Sequence, residues 1–175
     1  MGSLKLKLRI PAKLRNTKWL LVVIPLIAFA AGFATSHAIN ESPGDVSGIE
    51  VGLVARVVDG DTVELADGQR VRYLGIDTPE LGEPYSYEAL QLNIALVEGK
   101  RVELQRGNED KDQYGRLLRY VYVDGIFVNA QLVAQGYATA MIFDSSNRHS
   151  QVLVQLEQYA KLLGRGMWQG KKIEH

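Results

Sequence analysis

Residues 51–76, VGLVARVVDGDTVELADGQRVRYLGI, decide the fold. Asp-Gly pairs at Asp59-Gly60 and Asp67-Gly68 separate three runs rich in β-branched residues, which are Val51–Val58, Thr62–Leu65 and Arg70–Ile76. An Asp-Gly pair between apolar runs is the strongest short-range signal for a β-hairpin. The stretch therefore predicts three antiparallel strands joined by tight turns.

The sequence beyond this stretch predicts further strands and helices. Tyr87–Glu98 places apolar residues at helical spacing, and Gly99 follows as a helix terminator. The remaining pattern predicts strands at Arg101–Gln105 and Leu117–Val123 and helices at Val128–Gln135 and Ser150–Leu163. Five short strands with a helix after the third predict an α+β, mainly β fold. Its core would be a small, partly open five-stranded barrel of the OB type, capped by three helices.

Charge is distributed unevenly along the chain. All six charges in residues 1–18 are positive, whereas residues 19–175 carry 14 Lys and Arg against 20 Asp and Glu, a net charge of −6. A protein with this balance cannot hold a polyanion by a global positive field, so it would need placed arginines and a cation. The absence of cysteine excludes disulfides, thiolate nucleophiles and cysteine-ligated zinc.

An apolar segment, residues 19–38, follows the basic region 1–18. Its uncharged run is near the lower limit of about 17 residues for a helix that spans a bilayer. We expect an uncleaved transmembrane anchor, while Ser36-His37-Ala38 leaves open a signal peptide that is removed. A buried core helix is disfavoured, because the run is apolar all round and has a basic flank.

The positive-inside tendency places residues 1–18 in the cytoplasm and the rest of the chain outside it. The folded part would then be anchored to a membrane through residues 19–38, or secreted if the signal is cleaved. Residues 39–49 combine turn formers with little apolar content, which predicts a linker. One folded domain is expected over residues 50–170.

Three clusters carry residues capable of chemistry: 57–63 (VVDGDTV), 72–80 (RYLGIDTPE) and 112–116 (DQYGR). Asp61 after the first turn and Asp77 at the end of the third predicted strand would lie close together if the strands pair. Two carboxylates with a backbone carbonyl and waters form a hard oxygen set that suits Ca²⁺. Such a cation would neutralise a phosphodiester and offset the acidity of the domain.

Each cluster also has an ordinary structural explanation. Asp59 and Asp61 are typical turn residues, and Thr78-Pro79-Glu80 is typical of a helix start. Arg72 and Arg116 fit solvated strand positions. Taken together, the clusters favour phosphodiester chemistry, because Glu80 offers a base for a water molecule and the two arginines offer bidentate contacts to phosphate oxygens.

The order of these clusters resembles the staphylococcal nuclease family, and the resemblance extends from about Glu50 to Trp168. It implies calcium ligation by the side chains of Asp61 and Asp77 and by the backbone carbonyl of Thr78. It also implies that Glu80 activates or positions a water and that Arg72 and Arg116 bind the phosphate. The implied activity is endo- and exonucleolytic cleavage of DNA and RNA, with single strands preferred, to leave 3′-phosphate products.

The chain departs from the family pattern around the substrate. The segment between Glu80 and the first predicted helix is short and lacks lysines, and residues 137–144 lack the tyrosines that the staphylococcal protein presents to the nucleotide. Phe143 is a candidate for stacking on a base, with a packing role equally open. Tyr114 is a candidate for contacting a substrate phosphate, with packing beside Arg116 favoured.

Two other classes of function stay open at this stage. A nuclease-like domain that has lost catalysis would act as a module that binds nucleic acid or a protein partner, and fold alone does not decide between the two. The other is an anchored structural protein in which Ca²⁺ only stabilises the barrel. The five side chains Asp61, Arg72, Asp77, Glu80 and Arg116 favour the enzyme, because the arginines have no evident purpose in the structural alternative.

Overall fold

A computed structural model describes residues 49–141 and 148–170 of the chain, all within the compact unit Asp45–His175. The strands are β1 (Ile49–Val57), β2 (Thr62–Leu65), β3 (Arg70–Tyr73), β4 (Ile76–Asp77), β5 (Arg101–Lys111), β6 (Leu117–Val123), β7 (Ile126–Phe127) and β8 (Thr139–Ala140). The helices are α1 (Ser86–Val97), α2 (Val128–Ala134) and α3 (Arg148–Leu162), followed by a 3-10 turn at Gly166–Trp168.

Five strands close into a barrel. Strand β1 pairs antiparallel with β2 and β5, β2 pairs with β3, and β5 pairs with β6. A parallel pairing of β3 with β6, with Val71 opposite Leu117, completes the circle. The five-stranded OB-type barrel with three helices is confirmed, but the barrel is closed rather than partly open. The pairing of β3 with β6 closes the barrel, and because these strands are far apart in sequence, no local sequence pattern predicts their pairing.

The third predicted strand, Arg70–Ile76, is wrong in one respect. Strand β3 ends at Tyr73, and Gly75 adopts a φ of 74°, a left-handed conformation that glycine adopts readily. Ile76 and Asp77 then form the separate strand β4, which pairs with β8. Asp77 therefore lies in a second, two-stranded sheet and not at the end of the barrel strand.

Strand β5 is longer than predicted, because it continues past Gln105 to Lys111. Residues 106–111 (RGNEDK) lack the β-branched residues that signal a strand, and an irregular register between Arg106 and Lys111 accommodates them. The extension brings polar residues of β5 to the end of the barrel where residues 112–116 connect it to β6.

Burial of apolar side chains drives closure of the barrel. Val54, Val63, Val71 and Val121 are completely buried and project inward from four different strands. Outside the barrel, α1 buries one stripe at i, i+4 spacing, which consists of Ala89, Asn93 and Val97.

Several predictions lie outside the described residues. They concern the basic region 1–18, the segment 19–38, nearly all of the linker 39–49, and Phe143. In the ranges that the structure does describe, no helix has the length and apolar character needed to cross a membrane. The anchor therefore stays a prediction.

Candidate active site

The turn between β1 and β2 places Asp61 against the start of residues 78–80. The backbone N–H of Asp61 donates to Oδ1 of Asp59 at 3.0 Å, and that of Val58 donates to the carbonyl of Thr62 at 2.9 Å. At Gly60 a Cβ atom would lie 2.6 Å from Oγ1 of Thr78, closer than real contacts allow. Glycine is therefore required here so that the turn can approach Thr78 closely.

Asp61 is buried, and its two carboxylate oxygens have different partners. Oδ2 accepts hydrogen bonds from both the backbone N–H and the Oγ1 hydroxyl of Thr78, each at 2.9 Å. Oδ1 lies 3.1 Å from Nε of Arg72. Burial raises the pKa of Asp61 to about 6; the Arg72 guanidinium lowers it, and the nearby Asp59 raises it. Arg72 and Thr78 therefore compensate the buried charge only in part.

Arg72 links the two aspartates. Its Nη2 donates to Oδ1 of Asp77 at 2.9 Å, while its Nη1 donates to the backbone carbonyls of Tyr73 and Ile76. The planar guanidinium has enough donors in fixed positions to make all of these contacts at once, which an ammonium group does not. Asp61 from the barrel and Asp77 from the small sheet consequently meet around one side chain.

Glu80 lies in the turn that precedes α1 and is exposed. Its backbone N–H donates to Oε2 of Glu83 at 2.9 Å. Among the residues that the structure describes, no hydrogen bond or ion pair engages the Glu80 carboxylate. This carboxylate follows Thr78 by two positions and is available to a water molecule.

Arg116 is held by the connection between β5 and β6. Asp112 accepts the backbone N–H groups of Tyr114 and Arg116 on Oδ1, and Nε of Arg116 donates to its Oδ2 at 2.7 Å. Partial burial raises the pKa of Asp112, but these hydrogen bonds outweigh burial and hold the pKa below its ordinary value. The guanidinium carbon of Arg116 also lies 5.5 Å from the ring centre of Tyr114, which is 75% exposed.

One cleft collects three of the predicted site residues. It has a volume of about 600 Å³, and Arg72, Asp77 and Arg116 all line it. Leu118, Tyr120 and Met141 add an apolar wall. The structure thus brings together two arginines and a carboxylate at an open surface, with Asp61 and Thr78 directly behind Arg72; Glu80 and Tyr114 do not line this cleft.

The donor set fits a hard divalent cation. Within the described parts of the chain, no group of three or more His, Asp or Glu side chains is placed to hold a metal ion. Two carboxylates that share one guanidinium, with the Thr78 backbone beside them, nevertheless supply oxygen ligands of the kind that Ca²⁺ accepts, and water would complete the shell. A cation there would add to the partial compensation that Arg72 and Thr78 give to Asp61.

Sequence reasoning missed two buried asparagines that position the site. Asn93 of α1 accepts the hydroxyl of Tyr73 at 2.9 Å and donates to the carbonyl of Asp59 at 3.0 Å. Asn129 of α2 accepts the N–H of Val121 and donates to the carbonyl of Leu74, beside the turn that leads to β4. A polar residue within the apolar stripe of a helix is the signal that would have found Asn93.

The chain is similar in sequence to a known family and to several characterised or named proteins. The family described as "Staphylococcal nuclease homologue" matches residues 70–170. The thermonuclease of Staphylococcus intermedius is 34% identical over 139 residues, which cover 74% of this chain and 82% of the relative. The thermonuclease of Staphylococcus hyicus is 30% identical over 163 residues, covering 87% and 96%. An uncharacterized endonuclease of Escherichia coli O157:H7 is 36% identical over 121 residues, covering 67% and 76%.

The fold and the site define a class, the closed OB-type barrels with carboxylates and arginines gathered at a surface cleft. Within that class the chain belongs to the staphylococcal nuclease family. The resemblance predicted from the three sequence clusters is therefore confirmed.

Proposed function

We propose that this protein is a calcium-dependent nuclease that cleaves DNA and RNA, preferably single-stranded, and leaves 3′-phosphate products. One observation carries the proposal: Asp61 and Asp77 converge on Arg72 at the cleft that also contains Arg116. The names of the relatives, two thermonucleases and an endonuclease, agree with it.

Arg72 and Arg116 supply the contacts to the phosphate. Both line the same cleft, and each is oriented by a carboxylate, Asp77 and Asp112 respectively. Guanidinium groups fixed in this way stabilise the charge that develops on phosphate oxygens in the transition state, because they need little reorganisation when the reaction occurs. In the structure the guanidinium of Arg72 contacts Asp61, Asp77 and two backbone carbonyls. A bound phosphate would therefore replace some of these groups as a partner of Arg72.

Glu80 supplies the base. Its exposed carboxylate accepts a proton from the attacking water, whose oxygen forms a bond to phosphorus. The bond between phosphorus and the 5′ oxygen breaks, the 5′ oxygen takes up a proton from solvent, and the phosphate stays on the 3′ side. A calcium ion held by Asp61, Asp77 and the carbonyl of Thr78 would supply positive charge to the phosphate.

The experiment is cleavage of single-stranded DNA and RNA oligonucleotides by the full chain, with calcium or with a chelator. We expect cleavage that requires calcium, faster on single strands than on duplexes, and fragments that end in a 3′-phosphate. Folded protein that binds the oligonucleotides and cleaves none would instead identify a module that binds nucleic acid.

The proposal includes a location. Residues 19–38 would hold the domain at a membrane, outside the cytoplasm, or direct its secretion, since the basic region 1–18 precedes an uncharged apolar run. Sequencing the N-terminus of the protein recovered from cell membranes and from the medium tests this. An intact N-terminus in the membrane fraction supports the anchor, cleavage after Ala38 supports secretion, and protein found only in the cytosol would refute both.

A further inference from the structure

A second cleft lies beside the first and shares Arg116 with it. Its volume is about 450 Å³, and the lining residues charged at neutral pH are Arg70, Lys111 and Arg116. Asp and Glu are absent from this lining, in contrast to the acidic surplus of residues 19–175. This Arg70–Lys111 cleft is therefore a locally positive surface on an acidic protein, which suits an anion.

The closure of the barrel creates the cleft. Leu117 at the start of β6 pairs with Val71 of β3 on one side and with Lys111 of β5 on the other. Arg70 directly precedes Val71, so the first residue of β3 and the last residue of β5 flank the same point. Residues 112–116, which carry Tyr114 and Arg116, connect β5 to β6 there. The strand register therefore sets the positions of Arg70 and Lys111.

Arg70 and Arg72 lie on the same face of strand β3. The two residues are two positions apart in β3, so they project from the same face, with Cα atoms about 6.6 Å apart for an extended strand. Such a distance is comparable to the spacing of successive phosphates along a nucleic-acid strand. A strand whose scissile phosphate lies between Arg72 and Arg116 would consequently bring a neighbouring phosphate to Arg70.

Two of the three cations of the cleft, Arg70 and Lys111, are available to a ligand. The Arg70 side chain is 57% exposed, and its Nε lies 3.6 Å from Oε2 of Glu64, an oxygen that already accepts Arg56 at 2.7 Å. Exposed pairs of this kind contribute little energy and exchange readily. Lys111 is exposed, and it forms no ion pair with any residue in the described ranges. Tyr114 also lines the cleft and is exposed.

We propose that the Arg70–Lys111 cleft binds a backbone phosphate adjacent to the scissile one. The inference rests on the proposed nuclease function and extends it, because it makes the enzyme prefer substrates with more than one phosphodiester. A dinucleotide with a single internal phosphate leaves the cleft empty, whereas a tetranucleotide fills it.

The first test measures binding. Full-length protein carrying Glu80→Gln, to slow hydrolysis, is titrated with a fluorescent single-stranded oligonucleotide in calcium at several salt concentrations. Each phosphate contact contributes about 0.7 to the slope of log K against log salt for a single strand. We expect Lys111→Gln and Arg70→Gln each to lower that slope by about this amount. Arg101→Gln, an exposed cation that lines neither cleft, is the matched control and should keep the parental slope.

The second test measures the ratio of kcat/KM for a tetranucleotide to kcat/KM for a dinucleotide, in chains with Glu80 intact. Lys111→Gln is expected to lower this ratio about tenfold, the effect of one charge-assisted hydrogen bond, and Arg101→Gln is expected to preserve it. Binding slopes and ratios that match the control in both cleft variants would overturn the inference while leaving the nuclease function intact. If the cleft variants lower the salt slope but the chain with Glu80 intact cleaves neither the dinucleotide nor the tetranucleotide, the phosphate-binding role of the cleft would be supported and the nuclease function refuted.

Discussion

The buried carboxylate of Asp61 lies 3.1 Å from Nε of Arg72, and the same guanidinium contacts Asp77. Side chains that the resemblance assigns to calcium and to phosphate are thus in direct contact with each other. Arg72 contacts both aspartates, so we expect the free energy of unfolding and the nuclease activity to depend on it.

Loss of Arg72 should destabilise the fold through Asp61. In a chelator, Arg72→Gln leaves Asp61 buried without its charged partner, and the free energy of unfolding should fall by about 3 kcal/mol. The double variant Asp61→Asn, Arg72→Gln should lose less than the sum of the two single losses, because no uncompensated charge remains. Denaturation with urea measures all three variants, and additive losses would show that the contact contributes nothing.

Asn93 should support the turn that carries Asp61. Asn93→Ala removes both the acceptor for the Tyr73 hydroxyl and the donor to Asp59, so we expect a loss of about 2 kcal/mol in the free energy of unfolding. Tyr73→Phe removes the hydroxyl and keeps the bond from Asn93 to Asp59. The activity of Asn93→Ala should therefore fall well below that of Tyr73→Phe when both are assayed below their melting temperatures. Equal activities would mean that the bond to Asp59 does not position the site.

Asp112 should orient Arg116. Asp112→Asn keeps an oxygen for the backbone N–H groups of Tyr114 and Arg116 but loses the charged contact to Nε of Arg116. We expect kcat/KM to fall about tenfold with little change in melting temperature, because one charge-assisted hydrogen bond is weakened. Asp112→Ala should also lower the melting temperature, since it removes the turn contacts as well. An unchanged kcat/KM in Asp112→Asn would show that Arg116 does not need this partner.

His149 should make stability depend on pH. Its ring stacks on Tyr120 with centroids 4.0 Å apart, and burial, followed by the charge of Arg148, lowers its pKa from 6.5. The folded state therefore prefers the neutral ring. The contribution of the neutral His149 ring to the free energy of unfolding is fully present above pH 6.5 and is lost as the pH falls through the pKa of His149 in the folded state. As the pH falls from 7.5 to 5, the free energy of unfolding of the wild type should decrease relative to that of His149→Phe. Urea denaturation at several pH values, with chelator present, checks this; a difference that does not vary with pH would contradict it.

The sequence predicts the barrel well, because its strands carry local signals. Asp-Gly turns and runs of valine mark β1 to β3, and these elements depend on hairpins closed by neighbouring residues. The break after Tyr73 and the extension of β5 to Lys111 escape prediction for the opposite reason, since the pairings with β8 and β6 decide them. Long-range pairing overrides weak local propensity.

The candidate site also contains some residues that the sequence identifies and others that only the packing of the fold reveals. Asp61, Arg72 and Asp77 are recognisable from their order in the sequence, and the structure gathers them around one guanidinium. Asn129 escapes notice, because an asparagine in a helix has the same appearance in sequence whether it is exposed or buried. Asn93 is marked only by its place between Ala89 and Val97 in the apolar stripe of α1. Their importance comes from the backbone carbonyls and amides that they reach across the fold, which only the packing of helices on the barrel determines.

The most direct test of the account is cleavage of a single-stranded DNA oligonucleotide by the full chain in calcium, comparing wild type with Glu80→Gln and Arg116→Ala. Arg101→Gln serves as the control, and urea denaturation confirms that every variant is folded. We expect calcium-dependent cleavage by wild type and by Arg101→Gln, with kcat lowered about 10²- to 10³-fold in Glu80→Gln and Arg116→Ala. Folded wild type that leaves the oligonucleotide intact in calcium, or Glu80→Gln and Arg116→Ala that both cleave at the wild-type rate, would contradict it.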